Sequence, residues 1–255
     1  GSYRGRTELD CTDKFLCPGF IDAHIHIESS LAAPFEFARA ATRSGTTTIV
    51  ADPHEIVNVC GAQAVQYLLD ATENLPLNVY LMLPSSVPAT PFETNGADFT
   101  AADMAPFMAH PRVLGLGEVM CYPDVLAARQ TVLEKLALAA DAGKRADGHA
   151  PGLSVRELQA YAAAGIRTEH ECTTFAEAAE KLRAGLAVLV REGSAAKNLS
   201  VLVNGLLDSD LPADRFFPDL DRLPNWRCTD TGPLQEDGGH CFRYLTYEND
   251  APLPL

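Results

Sequence analysis

Polar and apolar residues alternate strictly over "IDAHIHIE" (21–28). Asp22, His24, His26 and Glu28 fall on one side of an extended chain, and Ile21, Ala23, Ile25 and Ile27 on the other. Further short apolar runs with strand composition follow at 46–53, 77–85, 113–119, 146–151, 165–171, 187–194 and 226–230. Stretches with helical spacing lie between them, at 34–45, 61–74, 124–143, 154–165 and 174–185. Pro34 opens the first of these at a position where a proline costs no hydrogen bond, and Gly45 closes it. Ser154 and Glu157 form the Ser-x-x-Glu pattern of a capping box. Strands that alternate with helices of this length predict βαβ units and a parallel sheet. Eight in series predict an α/β fold, a TIM-like (β/α)8 barrel. The odd positions of the first strand are then expected to pack beneath the barrel helices.

The titratable residues sharpen this. His24, His26 and Glu28 end the first run, Asp52, His54 and Glu55 the second, and Glu118 the fourth. His149, His170, Arg191 with Glu192 and Ser194, and Asp230 end the fifth to eighth. A barrel gathers all these ends at one mouth, where barrel enzymes build their active sites. A lone His-x-His is more often a surface or core pair than a ligand pair, and a lone Glu118 is an ordinary strand-end acid. Their convergence changes that, because several imidazoles and carboxylates in one pocket perturb one another strongly without a cation. A divalent metal resolves the conflict, and nitrogen and oxygen ligands without thiolates suit Mn²⁺, Fe²⁺ or Zn²⁺. His54 and Asp52 fit either an extra metal ligand or a structural hydrogen bond. Arg191 and Glu192 fit either an ion pair or a substrate contact.

Net charge is −14 over 255 residues, which opposes binding to a phosphate backbone. No apolar run is long enough for a membrane span, and no secretory signal precedes the fold, so the expected location is the cytoplasm. The seven cysteines contain no Cys-x-x-Cys pair and read as reduced thiols. Neither GxGxxG nor GxxxxGK[ST] follows an early strand, which leaves nucleotide-phosphate binding of those kinds unsupported.

The blocks "PGFIDAHIHIESS", "GTTTIVADPHEI", "GLGEVM", "DGHAPGL", "GIRTEHEC" and "REGSAAKNL" together resemble the adenine deaminases of the amidohydrolase superfamily, over roughly residues 17–230. The resemblance implies hydrolytic deamination of adenine to hypoxanthine and ammonia by a metal-activated hydroxide. It implies two divalent ions, Mn²⁺ or Fe²⁺ ahead of Zn²⁺. His24 and His26 would hold one ion, His149 and His170 the other, and Glu118 would bridge them. Asp230 would bind metal and shuttle protons. Glu28, Glu55, Arg191, Glu192 and Ser194 would contact a small purine. The expected partners are that substrate and a second copy of the chain in a homodimer, with no nucleic acid and no membrane.

The chain departs from the family pattern at both ends. Residues 1–17 are expected as a remnant of a small β-rich domain, 18–230 as the barrel, incomplete at its C-terminal end, and 231–255 as a divergent tail. Thr231 stands where family members carry a second acid after Asp230. A cyclic-amide hydrolase of the same superfamily, or a catalytically dead metal-binding fragment, are the alternative readings.

Overall fold

A computed structural model describes residues 5–7, 9–11, 16–90, 92–193, 196–209, 226–237, 240–242 and 245–249. The chain separates into two compact units, Gly1–Asp208 and Ser209–Leu255.

The first unit is a curled parallel sheet clad in helices. Strands β1 (Phe20–Ile25), β2 (Thr46–Ala51), β3 (Asn78–Leu83), β4 (Val113–Val119) and β5 (Arg145–Gly148) pair in chain order, all parallel. Strands β6 (Thr168–Glu169) and β7 (Ala187–Val188) pair in parallel, and a bridge between Ala146 and Ile166 attaches them beside β5. Sequential order with helical crossovers is the winding of a (β/α)8 barrel, here seen as a partial barrel of seven strands among the described residues of this unit.

The crossover helices form where their punctuation stands. Pro34 opens α1 (Pro34–Arg43), and Gly45 ends the turn after it at φ +87°. The expected capping box is present at α7 (Val155–Ala163), where Ser154 and Glu157 bond reciprocally. Between these come α2 (His54–Cys60), α3 (Ala62–Ala71), α4 (Ala101–Met108), α5 (Tyr122–Leu126) and α6 (Gln130–Asp141). Helices α8 (Phe175–Arg183) and α9 (Leu199–Leu207) complete the unit. The stretch 124–143, expected as one helix, is two. Ala128 breaks it at φ +50°, and the Asp124 carbonyl takes the Arg129 N–H at 2.9 Å. Helical propensity is a weak prior, and tertiary packing overrides it in this segment.

The main apolar core fills the space between sheet and helices, with Ile49, Ala51, Leu81, Leu83, Leu116, Tyr161 and Ile166 fully shielded from solvent. Strand β1 departs from expectation. Ile21, expected beneath helices, is 68% exposed, and Phe20 beside it is 64% exposed. The reason is topological: among the described residues β1 has β2 as its one sheet neighbour, and its other edge borders a cavity.

In the second unit, the segment expected as an eighth parallel strand forms β8 (Trp226–Thr231). It pairs antiparallel with β11 (Leu245–Asn249), while β9 (Gln235–Asp237) pairs antiparallel with β10 (His240–Phe242). Leu245, Thr246 and Tyr247 supply a run of good strand formers close in sequence, so local pairing is available to β8.

Candidate metal centre

The centre is assembled at the C-terminal ends of the parallel strands. His24 lies in β1 and His26 just past it. His54 is the first residue of α2, directly after β2, and Glu118 lies near the end of β4. His149 follows β5 by one residue, and His170 follows β6 by one.

Glu118, 2% exposed, is the hub. Its Oε1 faces His26 Nε2 at 3.2 Å, His54 Nε2 at 3.3 Å and His24 Nε2 at 3.8 Å. Its Oε2 faces His149 Nδ1 at 2.6 Å and His170 Nε2 at 3.2 Å. The five imidazoles are thus divided between the two oxygens of one carboxylate. Ligand atoms of His24, His26 and Glu118 all lie within 4.8 Å of one another, and so do those of Glu118, His149 and His170. The structure therefore brings together the histidines of β1, β5 and β6 and the β4 glutamate, and it adds His54.

A second layer holds the rings. Asp147 Oδ2 stands 3.2 Å from His24 Nδ1 and 3.7 Å from His170 Nδ1. Those two rings stack with centroids 3.7 Å apart. His26 Nδ1 bonds the Asp52 carbonyl at 2.7 Å. The Asp52 side chain accepts the Glu118 N–H at 2.7 Å, which ties the end of β2 to β4. Gly117 makes room for that bond, since a Cβ there would sit 2.2 Å from Asp52 Oδ2. The Tyr161 hydroxyl donates to the Val119 carbonyl at 2.8 Å and accepts the His149 N–H at 3.0 Å. It fixes the chain at the point where His149 departs from β5.

The electrostatics follow from burial and from this crowding. Burial would raise Glu118, but hydrogen bonds from His149, His170 and His54 outweigh it and hold the carboxyl far below the usual range. Burial would lower His54, but its bond to Glu118 and the charges of Asp52, Glu118 and Glu28 hold it up at about 9. Burial dominates at His26, which is lowered. Burial and the neighbouring Glu118 charge push Asp52 well up.

The donor set fits divalent ions. His24 Nε2 and His26 Nε2 face each other at 3.2 Å, while the Nδ1 atoms of both rings are engaged by Asp147 and by the Asp52 carbonyl. Two ring nitrogens held with their lone pairs converging repel unless a cation or proton lies between them. The Glu118 oxygens offer two such positions, each with imidazole neighbours and no thiolate. Imidazoles whose far nitrogens are held by a carboxylate or carbonyl are the usual arrangement around metal-ligating histidines.

The remaining candidates lie around this centre or elsewhere. Arg191 is held by both oxygens of Glu171, with Nη2 at 2.9 Å from Oε2. Glu171 Oε1 is in turn 3.6 Å from His170 Nε2. Glu192 is exposed and accepts the Leu199 N–H at 3.2 Å at the start of α9. Glu28 accepts the Glu55 and Ile56 N–H groups at 3.1 and 3.4 Å, which caps α2, and burial raises its pKa. Glu55 accepts from Ser29 Oγ at 2.5 Å. Asp230 lies exposed on β8 of the second unit, and Ser194 lies outside the described residues. A cavity of about 870 Å³ opens between β1 and the segment after β7. His24, His26, His170, Arg191 and Glu192 line it together with Ile21 and Val190.

Glu171 belongs with His170 to the titratable residues that end the sixth strand run, whereas Asp147 and Tyr161 were not expected at the site. Asp147 does carry a signal: it stands two residues before His149 at the end of β5, the spacing at which extended chain puts side chains on one face. Tyr161 carries none, because its contacts cross from a helix to two strand ends.

Residues 15–204 match the Amidohydrolase family. The chain is 52% identical over 216 residues to the adenine deaminase of Desulfitobacterium hafniense (strain Y51), covering 85% of this chain and 38% of that protein. It is 53% identical over 206 residues to the adenine deaminase of Clostridium acetobutylicum, covering 81% of this chain and 36% of that protein. It is 53% identical over 224 residues to adenine deaminase 2 of Carboxydothermus hydrogenoformans, covering 88% of this chain and 39% of that protein. The chain thus spans well under half the length of these relatives.

Proposed function

The chain belongs to the amidohydrolase family, and from that premise we propose that it carries the metal centre of a hydrolase that deaminates adenine to hypoxanthine and ammonia. The observation that carries this reading is the division of the Glu118 carboxylate between two histidine groups. A carboxylate shared in this way supports a role for Glu118 as the bridge of a two-ion site. The three relatives, all adenine deaminases, suggest the substrate.

His24, His26 and His54 would hold one divalent ion with Glu118 Oε1, and His149 and His170 the other with Oε2. Manganese or iron fits these nitrogen and oxygen donors, with zinc as the third choice. Such ions supply a water made acidic enough to act as a nucleophile near neutral pH. The protein's own groups do the rest. Asp147 keeps His24 and His170 turned so that their Nε2 atoms face Glu118. The mouth between β1 and β7 is large enough for a purine, with Ile21 and Val190 offering apolar walls. Arg191, braced by Glu171, offers a donor at its rim. On the resemblance alone, moving protons between water, ring nitrogen and leaving ammonia would fall to Asp230, a role for an acid within hydrogen-bond reach.

The test is loss of adenine absorbance on metal-loaded protein, run beside Glu118→Gln. Turnover with Mn²⁺ or Fe²⁺, abolished in the variant, is the expected result. Two bound ions with no deamination of any aminopurine would refute the deaminase reading and leave a metal-binding unit.

A further inference from the structure

Lys181 stands on α8, 1% exposed, and plays no direct part in the centre. Its ammonium lies 2.8 Å from Glu169 Oε2 and 3.0 Å from Glu177 Oε1. Each carboxylate uses its remaining capacity on the loops that carry metal-facing histidines. Glu169 accepts the Ala150 N–H at 3.2 Å and the Cys172 thiol at 3.1 Å. Glu177 accepts the Gly152 N–H at 2.9 Å and the Thr173 N–H at 3.3 Å. Ala150 directly follows His149, and Glu169 directly precedes His170.

We infer that Lys181 is a positioning residue that sets His149 and His170 in register through these two carboxylates. The inference rests on the two-ion reading above. Stability alone is a poor reason for such an arrangement, because a buried ion pair can often be replaced by apolar residues at little cost. What this triad adds is geometric. One ammonium fixes two carboxylates, and they clamp the backbone after β5 to the backbone around β6. The clamp is one-sided. The bonds of this triad reach the loops after β5 and β6, whereas His26 is held by the Asp52 carbonyl after β2, His54 stands at the start of α2, and His24 is held by Asp147 within β5. Loss of the clamp therefore loosens the half of the centre at Glu118 Oε2 and spares the half at Oε1.

The experiment is a Co²⁺ titration of the metal-free chain near neutral pH, followed by calorimetry and visible absorbance, for the parent, Lys181→Met and Glu177→Ala. The parent takes up two ions. In both variants one binding step is unchanged and the other weakens by roughly 10- to 100-fold, the usual effect of removing an outer-shell support. Hydrogen exchange in the metal-free chain gives an independent readout, with the amides of Ala150 and Gly152 losing protection in Lys181→Met. If Lys181→Met leaves two buried carboxylates too costly to fold, Glu177→Ala decides, since it leaves Lys181 paired with Glu169 and removes the bonds of Glu177 to Lys181, Gly152 and Thr173. Unchanged affinity for both ions in a folded variant, with unchanged amide protection, overturns the inference. A parent chain that binds no Co²⁺ overturns the metal reading instead, and amide exchange then decides whether Lys181 clamps the two loops.

Discussion

Asp147 Oδ2 sits 3.2 Å from His24 Nδ1, and the same oxygen is 3.7 Å from His170 Nδ1. One carboxylate on β5 therefore orients imidazoles from β1 and β6, which belong to different halves of the centre. Burial would raise the Asp147 pKa, but bonding to His24 and the charge of His170 hold it down, so it stays ionised as an acceptor.

Asp147→Asn should weaken both metal-binding steps, by roughly 10- to 100-fold, because the amide can present its NH₂ to a ring N–H that needs an acceptor. This differs from the Lys181 variants, in which one step alone changes. Calorimetric titration with Co²⁺ distinguishes the two patterns. Wild-type affinities in Asp147→Asn would show that the rings orient themselves without it.

Tyr161→Phe removes a hydroxyl that serves the Val119 carbonyl and the His149 N–H inside the core. Leaving buried groups unpaired costs about 1–3 kcal/mol, so the urea midpoint should fall by a corresponding amount. A variant as stable as the parent would mean that water replaces the hydroxyl.

Gly117→Ala places a methyl where Asp52 Oδ2 lies, at 2.2 Å. The neighbour is a buried carboxylate bonded to the Glu118 N–H, so it cannot simply swing into solvent. Overpacking of this kind costs about 1–3 kcal/mol. It should also displace Glu118 and lower metal uptake. Full occupancy by elemental analysis, with an unshifted unfolding midpoint, would contradict this.

Acid stability should carry a signature of Glu177. Burial raises it, but the Gly152 N–H bond and Lys181 outweigh that and hold its pKa below its ordinary value of 4.5. A group depressed in the folded state contributes stability that is fully present above its unfolded pKa and lost as pH falls through the folded value. Stability of the parent relative to Glu177→Gln should therefore be constant above about pH 5 and shrink as pH falls below about 4.5. Urea midpoints of both proteins across that range test it, and a pH-independent difference would count against the role of Glu177 charge.

Much of the centre was legible in the chain. The period-two row at His24 and His26, Glu118 near the end of β4, and the histidines after β5 and β6 are local signals, because strand geometry fixes which side chains share a face. His54 was legible as a candidate but not as a participant, since its reach depends on the turn from β2 into α2. The bracing of Arg191 by Glu171 and the exposure of Ile21 were not legible, for each depends on what lies across a gap.

The sequence by itself determined the order of the first seven strands, the start of α1 at Pro34, the capping box at Ser154, and the row of donors at the strand ends. Each of these is set within a few residues by backbone periodicity and capping chemistry. Only the tertiary structure decided that five imidazoles divide between two oxygens of Glu118, that Asp147 and the Asp52 carbonyl choose which ring nitrogens face inward, and that Lys181 clamps the loops of β5 and β6. Those contacts join residues up to 123 positions apart, as between His24 and Asp147. Such pairings are decided by curvature of the sheet and by burial, which no local pattern encodes.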